Sequence, residues 1–362
     1  MRILHVILSL SGGGAERQLA SLGSELARRG HDVHVAFVHG GVHAERLSAS
    51  RCTIHRLAVS GKRDPRILTR FVSLTRRLRP DIVHTWLAHM DVIGGIAARL
   101  LRVPWVISER SAALNYPRTL LHRVRLVVGK GADLIVPNSA GGAEYWLSHG
   151  VDSSRIEIVP NFVPLDEIES AEPLRDSRIA ESDEPVLYVG RLSAEKNLTT
   201  LIDAMQHVCR QRPAAKLVIC GEGPLLSELT ARAHAAGLEE RIVFAGFVPN
   251  IASWLKRSNA VVAVSFYEGH PNAILESMAA GVPVVVSDIP AYRSILDEDS
   301  ASFVPVGNPR EIAAAIMRTL DDRRSAHERA ARAKERVRSL SLDAAVTRYE
   351  EIYRLVLGRR NC

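Results

Sequence analysis

Two absences in the sequence exclude whole classes of protein: cysteine is scarce and no long apolar run occurs. The four cysteines, Cys52, Cys209, Cys220 and Cys362, have neither the paired spacing of a metal site nor the density of a disulfide framework, which suits a reducing cytosol. No segment reaches the roughly 18 consecutive apolar residues of a membrane-spanning helix, so any membrane contact is expected to be peripheral. The opening MRILHVILSL lacks the cleavage site of a secretion signal, and we interpret it as a buried first strand.

Aromatic residues are also scarce, at 5% of the chain, and no recognised nucleic-acid-binding motif is present, so nucleic acid is not an expected partner. The remaining composition, 46% hydrophobic and 24% charged, is that of a globular protein, and 362 residues exceed what one core usually serves. The formal charge of +7 is uneven: residues 1–165 carry 22 Lys and Arg against 12 Asp and Glu, whereas residues 166–362 carry 25 against 28. The first half is therefore expected to meet an anion or an anionic surface.

Short apolar runs alternate with stretches of helical period along the chain, with one interruption. The predicted strands are residues 3–10, 32–38, 81–86 and 105–108 in the first half, and 185–190, 216–220, 241–246, 260–264 and 282–287 in the second. Strands that are apolar throughout and separated by amphipathic helices predict parallel sheets covered on both faces. The interruption, residues 160–178, is charged, contains three prolines and is interpreted as a linker. The pattern predicts two facing, doubly wound α/β domains, each with its ligand edge at the carboxyl ends of the strands.

The stretch SFYEGHPNAILESMAAGVPVV, residues 265–285, places two carboxylates around the predicted start of a helix. Pro271 suits the first turn of that helix and Gly281 suits its end, while apolar positions 274, 275, 278 and 279 form one face. Glu276 is then predicted to lie one turn into the helix, away from the apolar face, and Glu268 in the preceding loop. Both carboxylates are expected to face one crevice, although an ordinary capped helix with two surface glutamates has the same pattern.

The loop between these carboxylates, residues 269–272, offers backbone N–H groups at a helix N-terminus, which is a site for phosphate or another oxygen-rich group. Paired hydrogen-bond acceptors beside anion-binding amides suit a ligand that carries both hydroxyls and phosphates. A nucleotide sugar is such a ligand.

A second loop, VGRLSAEKN, follows a predicted strand and places Arg191 and Lys196 five residues apart. A diphosphate leaving group gains negative charge as a glycosidic bond breaks, and cations that bind it more tightly in that state lower the barrier. The loop is equally compatible with a helix cap that carries solvated charges.

Glycine-rich turns follow two further predicted strands. SGGGAER, residues 11–17, would let the backbone approach a phosphate or sugar at the start of a helix, and GEGP, residues 221–224, is a weaker signal of the same kind. Neither has the spacing of a dinucleotide fingerprint or of a Walker-type loop, so NAD and ATP are not favoured, and a tight turn alone remains an alternative.

Together these motifs resemble those of family 4 of the retaining glycosyltransferases, whose architecture is GT-B. The resemblance covers nearly the whole chain and rests on GGGAE, GRLSAEKN, GEGP and the two-glutamate element, in family order. It implies an acceptor-binding Rossmann-like domain in residues 1–165, a domain that binds a nucleotide sugar in residues 166–343, and a helix in residues 344–362 that returns to the first domain.

The resemblance also implies roles for individual residues. Arg191 and Lys196 would hold the donor diphosphate. Glu268 would contact the donor sugar, which makes these three the implied catalytic residues, and Glu276 would hydrogen-bond the ribose. Further implied donor-binding positions are Gly13 and Gly14 from the first domain, and Gly190, Gly221, Gly223, Gly269, His270, Pro271, Asn272, Ala273 and Ile274 from the second.

One position departs from the family pattern. Many members carry a histidine after a strand of the first domain, whereas this chain has WVISER there, ending in Glu109 and Arg110. This Ser-Glu-Arg resembles the subgroup that extends lipid-linked oligosaccharides in bacteria, so Glu109 or Arg110 is predicted to contact sugar or acceptor phosphate. His84 and His89 are alternative contacts, each also compatible with a structural role, and Glu16 in the first glycine loop is a further candidate.

Two basic stretches lie in the first half. Residues 62–79 contain seven cations, and RTLLHRVRLVVGK, residues 118–130, mixes cations with apolar residues at helical spacing. Both suit peripheral binding to anionic lipid, and the second could insert an apolar face or grip a lipid pyrophosphate. The alternative is that the Leu and Val positions pack into the core and the cations are solvated.

The expected function is therefore retaining transfer of a sugar from an NDP-sugar, with UDP favoured, to a glycan or polyprenyl-diphosphate-linked acceptor. The expected location is the cytoplasm, at the cytoplasmic face of the inner membrane. No metal or other cofactor is expected, because the acidic triplet Asp297-Glu298-Asp299 lies in a polar loop away from the donor motifs. A UDP-sugar epimerase on the same two-domain plan and a non-catalytic nucleotide-sugar-binding protein are the alternatives.

Overall fold

The computed structural model describes residues 1–111 and 119–361, so Arg118 and Cys362 lie outside the described residues. The chain divides into two compact units. The first comprises Met1–Phe162 and the segment from Leu342 onward, and the second comprises Val163–Ser341.

The first unit is built on a six-stranded parallel sheet. Its strands are β1 (Arg2–Ser9), β2 (Asp32–His39), β3 (Thr53–Arg56), β4 (Ile82–Trp86), β5 (Trp105–Glu109) and β6 (Leu134–Pro137). Its helices are α1 (Gly14–Arg28), α2 (Val42–Ser48), α3 (Arg66–Leu78), α4 (Ala88–Leu101), α5 (Leu120–Gly129) and α6 (Ala140–Ser148), and the last helix of the chain, α15 (Leu342–Asn361), belongs to the same unit.

The second unit is built in the same way on a second parallel sheet. Its strands are β7 (Glu184–Val189), β8 (Ala215–Cys220), β9 (Ile242–Gly246), β10 (Ala260–Ala263), β11 (Val284–Ser287) and β12 (Ser302–Val304). Its helices are α7 (Leu165–Glu169), α8 (Leu198–Gln211), α9 (Leu226–Ala235), α10 (Ile251–Arg257), α11 (Asn272–Ala280), α12 (Pro290–Arg293), α13 (Pro309–Asp321) and α14 (Arg323–Val337).

Both sheets have apolar side chains on each face because alternate residues of a strand point in opposite directions. In β1, Ile3 and Ile7 pack with the buried faces of α1 and α15, whereas Leu4 and Val6 pack with those of α3 and α4. In β7 the two faces likewise belong to separate apolar clusters. The cores therefore lie on both sides of each sheet, as the continuous apolar strands predict.

Strand order determines where a ligand-binding crevice forms in each unit. The orders are β3-β2-β1-β4-β5-β6 and β12-β11-β10-β7-β8-β9, which is the same doubly wound order when counted from each unit's first strand. The direction of winding reverses between β1 and β4 and between β7 and β10. Ligands of such folds bind at this switch point, beyond the carboxyl ends of the strands, because the loops there diverge and leave a crevice.

The predicted α/β fold class is confirmed, including the helix that returns to the first unit. Helix α15 buries Val346, Tyr349, Tyr353 and Val356 in the same cluster as Ile3 of β1, at helical spacing. The short strands β3, β6 and β12 were missing from the prediction, because runs of three or four residues carry too little pattern to be separated from loops.

Candidate active site

The loops after β7 and β10 lie side by side, because these two strands are neighbours at the switch point of the second sheet. The Phe266 N–H donates to the Glu195 carbonyl at 2.9 Å, and the Asn197 side-chain amide donates to the Val264 carbonyl at 3.1 Å. These bonds connect the loop that carries Arg191 and Lys196 to the loop that carries Glu268. Two motifs whose charged residues Lys196 and Glu268 are 72 positions apart in the sequence therefore lie together.

The glycine turn after β8 packs against the same loop. The Leu192 N–H donates to the Glu222 carbonyl at 2.9 Å. Gly221 has a φ of 147°, and a Cβ there would lie 1.9 Å from the Gly190 carbonyl oxygen, so no other residue fits. A Cβ at Gly223 would lie 2.3 Å from the Leu192 carbonyl oxygen. Close packing against the cationic loop thus requires both glycines, whether or not they also contact a ligand.

Lys196 and Glu268 form the central ion pair of this site, with 2.6 Å between Nζ and Oε1. The same carboxylate oxygen accepts from Ser265 Oγ at 2.8 Å and lies 3.4 Å from the Tyr292 hydroxyl. Both charged side chains are largely buried, with 19% of the lysine side chain and 14% of the glutamate side chain exposed. The structure therefore brings two of the three predicted catalytic residues into direct contact.

Arg191, the third predicted catalytic residue, is exposed at the same edge of the sheet. Its carbonyl accepts from the Tyr188 hydroxyl at 3.0 Å, which holds the backbone of the loop while the guanidinium extends outward. Among the described residues this guanidinium has no ion pair, so its charge is available to an anion.

Helix α11 begins at Asn272, so Pro271, which was predicted in the first turn, lies just before it. The N–H groups of Ile274 and Leu275 both bond to the Pro271 carbonyl at 3.1 Å. Glu276 lies in the second turn, as predicted, and is only 3% exposed; its contact with a ribose stays a prediction. Residues 274–279 are all buried, so this helix is covered on more than its apolar stripe.

The remaining predicted residues of this loop, Gly269, His270 and Ala273, are partly exposed next to Glu268 and the start of α11. The Oδ1 atom of Asn272 is buried and has no hydrogen-bond partner among the described residues. A buried polar atom without a partner is costly, and such atoms are common where a ligand donates the missing bond.

In the first unit, the glycine loop lies at the start of α1, after β1. Gly13 precedes the helix and Gly14 is its first residue. A Cβ at Gly13 would lie 2.1 Å from a carboxylate oxygen of Glu16, which folds back toward the loop. Burial raises the pKa of Glu16. Glu16 therefore lies against the glycine backbone, and its predicted ligand contact stays a prediction.

The two histidine candidates have different surroundings. His84 in β4 is fully buried and hydrogen-bonded on both ring nitrogens, to the Tyr353 hydroxyl at 2.7 Å and to Ser108 Oγ at 2.8 Å. Burial lowers its pKa well below the ordinary value, so the ring is neutral. This geometry contradicts a ligand contact for His84 and makes it a link between β4, β5 and α15. His89, at the start of α4, is half-buried and stays a candidate.

Glu109 is also fully buried, which contradicts its predicted contact with sugar or acceptor. Its Oε2 accepts from Arg125 at 2.8 Å and from the Trp146 indole at 2.9 Å, and its Oε1 accepts from the Ser111 N–H at 2.9 Å. Arg125 also binds Asp91 at 2.7 Å, so three charged groups form a buried triad. Within the Ser-Glu-Arg motif, Glu109 is therefore a structural residue. The sequence alone could not distinguish this role from a ligand contact.

Arg110 differs from its neighbour in being only partly buried. It donates to Asn161 Oδ1 at 2.9 Å and to Ser108 Oγ at 3.1 Å, also binds the Tyr349 hydroxyl, and lies over the ring of Trp86. Its Nε is buried without a hydrogen-bond partner among the described residues. Arg110 thus retains one donor for a further contact, and its role stays a prediction.

The acidic triplet after α12 is engaged in ion pairs: Asp297 binds Arg336, and Glu298 binds Arg293. Among residues 1–111 and 119–361, no group of three or more His, Cys, Asp and Glu residues has the arrangement of a metal site.

Two family models match this chain, one on each half. Residues 12–167 match the model described as Glycosyltransferase Family 4, and residues 170–338 match the model described as Glycosyl transferases group 1. The fold and the paired models define a glycosyltransferase. Its two halves carry the two glycosyltransferase domains that these models describe, and its fold is the GT-B architecture.

Curated relatives extend over most of the chain. The N-acetylgalactosamine-N,N'-diacetylbacillosaminyl-diphospho-undecaprenol 4-alpha-N-acetylgalactosaminyltransferase of Campylobacter jejuni is 29% identical over 87% of this chain and 89% of its own length. The UDP-Gal:alpha-D-GlcNAc-diphosphoundecaprenol alpha-1,3-galactosyltransferase of Escherichia coli is 26% identical over 72% of each chain. Among solved structures, Anabaena HepE in complex with UDP-glucose aligns with a TM-score of 0.86 at 20% identity, covering 97% of this chain and 99% of that one. This last likeness establishes the fold.

Proposed function

We propose that the enzyme transfers a sugar from a UDP-sugar, with retention of anomeric configuration, to a lipid-linked glycan. The observation that carries the proposal is the convergence of Arg191, Lys196 and Glu268 at the switch point of the second sheet. There a cationic loop meets a carboxylate and the N-terminus of α11. This set matches a ligand that has phosphates at one end and hydroxyls at the other.

The two cations have complementary geometry for a departing diphosphate. Arg191 is exposed and without an ion pair among the described residues, whereas Lys196 is bound to Glu268. A diphosphate carries more charge than one carboxylate and would draw the lysine ammonium toward itself. As the glycosidic bond breaks, negative charge on the leaving oxygen grows and both cations bind it more strongly, which lowers the barrier. We propose that these cations act in place of a metal.

Once Lys196 turns to the diphosphate, Glu268 becomes available to bind the donor sugar. Its carboxylate can accept hydrogen bonds from donor-sugar hydroxyls and so fix the sugar beside the diphosphate. Retention is then proposed to proceed by attack of the acceptor hydroxyl on the face that the diphosphate leaves, with the leaving phosphate oxygen taking the proton.

The proposed acceptor follows from the relatives. The Campylobacter jejuni and Escherichia coli enzymes are named for acceptors attached to undecaprenol through a diphosphate. A lipid-linked acceptor requires the enzyme to work at a bilayer, and we propose the cytoplasmic face of the inner membrane as its location. None of the described helices is both long and apolar enough to cross a bilayer.

Helix α5 supports a peripheral membrane contact. Its apolar residues Leu120 and Val127 are 76% and 72% exposed, and Val124 is also exposed, at the i, i+4, i+7 spacing of one helix face. Arg125, by contrast, is buried in the triad with Asp91. The outer face is thus apolar and flanked by exposed cations at positions 123 and 130, which suits insertion among anionic lipid headgroups.

Further cations lie earlier in the sequence of the first unit. Residues 51–79 contain nine Lys and Arg against a single carboxylate. Arg56, Arg70 and Arg77 line a groove of about 420 Å³ between β3 and α3, and none of them has an ion pair among the described residues. Helices α3 and α5 both pack against α4, so Arg70 and Arg77 of α3 and the apolar face of α5 belong to one layer of helices. Positive charge beside exposed apolar side chains is the combination that anionic bilayers bind.

Replacing Leu120, Val124 and Val127 together by serine is expected to weaken binding to phosphatidylglycerol vesicles at least tenfold, because each buried apolar side chain contributes about 1 kcal/mol or more to insertion. Vesicle cosedimentation measures this. The matched control replaces three exposed apolar residues of the second unit, Leu226, Phe247 and Val306, and should bind as wild type does. Equal binding by both triple variants would refute α5 as the membrane contact.

The function itself is tested by a donor screen. The purified protein is incubated with radiolabelled nucleotide sugars and a bacterial membrane extract, and label is followed into the lipid fraction. We expect one UDP-sugar to label lipid. Label that appears only in soluble products would contradict a lipid-linked acceptor, conversion of the nucleotide sugar without an acceptor would indicate an epimerase, and binding without turnover would indicate a non-catalytic protein.

A further inference from the structure

The carboxylate of Glu268 is held asymmetrically. Its three hydrogen-bonding neighbours, Lys196 Nζ at 2.6 Å, Ser265 Oγ at 2.8 Å and the Tyr292 hydroxyl at 3.4 Å, all approach Oε1. Among the described residues no hydrogen bond reaches Oε2. One oxygen is therefore anchored by the protein, and the other can accept hydrogen bonds from a ligand.

Tyr292 comes from a different part of the chain from the motifs that identify the site. It lies on α12, just after β11, and is fully buried. Because β11 is the neighbour of β10, the residues that follow β11 reach the loop that carries Ser265 and Glu268. The Tyr292 hydroxyl lies 3.4 Å from Ser265 Oγ as well as 3.4 Å from the glutamate.

The environment keeps this tyrosine protonated. Burial, followed by the negative charge of Glu268, raises the Tyr292 pKa well above its ordinary value. A neutral phenol beside a carboxylate donates its proton in a hydrogen bond and accepts none from that carboxylate. The Tyr292 hydroxyl is therefore the donor in its contact with Glu268.

The backbone around Ser265 is also fastened. The Ser287 hydroxyl at the end of β11 donates to the Ser265 carbonyl at 2.6 Å. This bond joins the two strand ends, so that Ser265 and Tyr292 keep their spacing around the carboxylate. Neither hydroxyl carries a charge that a diphosphate would attract, unlike the Lys196 ammonium.

We propose that Ser265 and Tyr292 are positioning residues that hold Oε1 of Glu268 when Lys196 turns toward the donor diphosphate, so that Oε2 stays directed at a hydroxyl of the donor sugar. The inference rests on the proposed function and adds two residues and an assignment of the two carboxylate oxygens. Once Lys196 has turned toward the diphosphate, these two hydroxyls are the remaining hydrogen-bond donors to Oε1 of Glu268 among the described residues.

The test is a mutant cycle that combines Tyr292→Phe, Ser265→Ala and Glu268→Ala. Each hydroxyl deletion alone is expected to lower kcat with the screened donor roughly tenfold, the value of one hydrogen bond to a charged group. The affinity for UDP, which has no sugar for Glu268 to hold, should change less than twofold in calorimetry. In the Glu268→Ala background the hydroxyl deletions should have little further effect on kcat, because the side chain they anchor is gone.

The matched control is Thr319→Val, which removes a buried hydroxyl of the same unit, bonded to the Ala315 carbonyl at 2.8 Å. It should keep wild-type kcat and UDP affinity. If Tyr292→Phe behaves like this control, or if its effect persists undiminished in the Glu268→Ala background, the positioning role is overturned while the transferase stands. A wild-type enzyme that neither binds UDP-sugars nor turns them over would overturn the proposed function and this inference together.

Discussion

Replacing Lys196 by alanine is expected to lower kcat roughly a hundredfold, because one placed charge that stabilises a developing anion contributes about 3 kcal/mol to the transition state. The substitution also removes a cation that would bind the diphosphate, and it leaves the Glu268 carboxylate without its 2.6 Å ion pair. Affinity for UDP should therefore fall as well. Steady-state kinetics with the donor identified in the screen, together with UDP calorimetry, measures both effects.

The control for this prediction is Lys216→Ala. Lys216 forms an ion pair of similar burial in the same unit, 3.0 Å from Asp183 with 14% of its side chain exposed, and lies in β8 away from the donor loops. Both variants lose one ion pair and should unfold at similar temperatures, but only the Lys196 variant should lose turnover. Wild-type kinetics for Lys196→Ala would remove the phosphate-binding role assigned to this lysine.

The largest expected loss of stability follows from Arg125→Met. Arg125 lies between Asp91 and Glu109, and all three side chains are buried. Removing one partner of a buried ion pair leaves uncompensated charge and typically costs about 3–5 kcal/mol. Tryptophan fluorescence during denaturation is a suitable measurement, because three of the four tryptophans, Trp86, Trp105 and Trp146, belong to the first unit.

The loss of unfolding free energy in Arg125→Met should be larger at high pH than at low pH. Burial raises the pKa of Asp91 to about 6, and Arg125 opposes this shift, so removing Arg125 raises the pKa further. A carboxyl whose pKa is higher in the folded than in the unfolded state destabilises the fold above its folded pKa, and this penalty disappears as the pH falls toward the unfolded value. Arg125→Met should therefore be closer to wild type at pH 5 than at pH 8.

A triple variant separates charge from packing. Asp91→Asn, Glu109→Gln and Arg125→Met together remove every charge of the triad, and should recover much of the stability that Arg125→Met alone loses. A triple variant as unstable as the single one, with no dependence on pH, would show that the cost came from shape and not from unpaired charge.

Much of the fold and part of the site could be predicted from local pattern. The loop after β7 and the loop after β10 could be found because a cation pair and a glutamate with a following helix start each occupy a few consecutive residues. Tyr292 could not be found in this way, since its link to Glu268 depends on β11 lying beside β10. The available signal was positional: a hydroxyl-bearing residue soon after the strand that follows the glutamate loop.

Other predictions failed because sequence does not tell which way a polar side chain points. Glu109 and Arg110 are consecutive and equally suited to a ligand, yet one is enclosed by Arg125 and Trp146 while the other is partly exposed. In α5, helical spacing alone would place the apolar residues inside, whereas the buried carboxylates draw Arg125 inward and leave Leu120 and Val127 exposed. The orientation of that helix was decided by partners from α4 and β5.

The sequence by itself determined the doubly wound pairing of strands and helices and the loops that follow β1, β7, β8 and β10, because hydrophobic periodicity and glycine turns are local properties. Tertiary structure alone decided which acids are anchored and which can meet a ligand. The reason is that burial and hydrogen-bond partners come from strands that are adjacent in the sheet but distant in the chain, as the meeting of Lys196, Glu268 and Tyr292 illustrates.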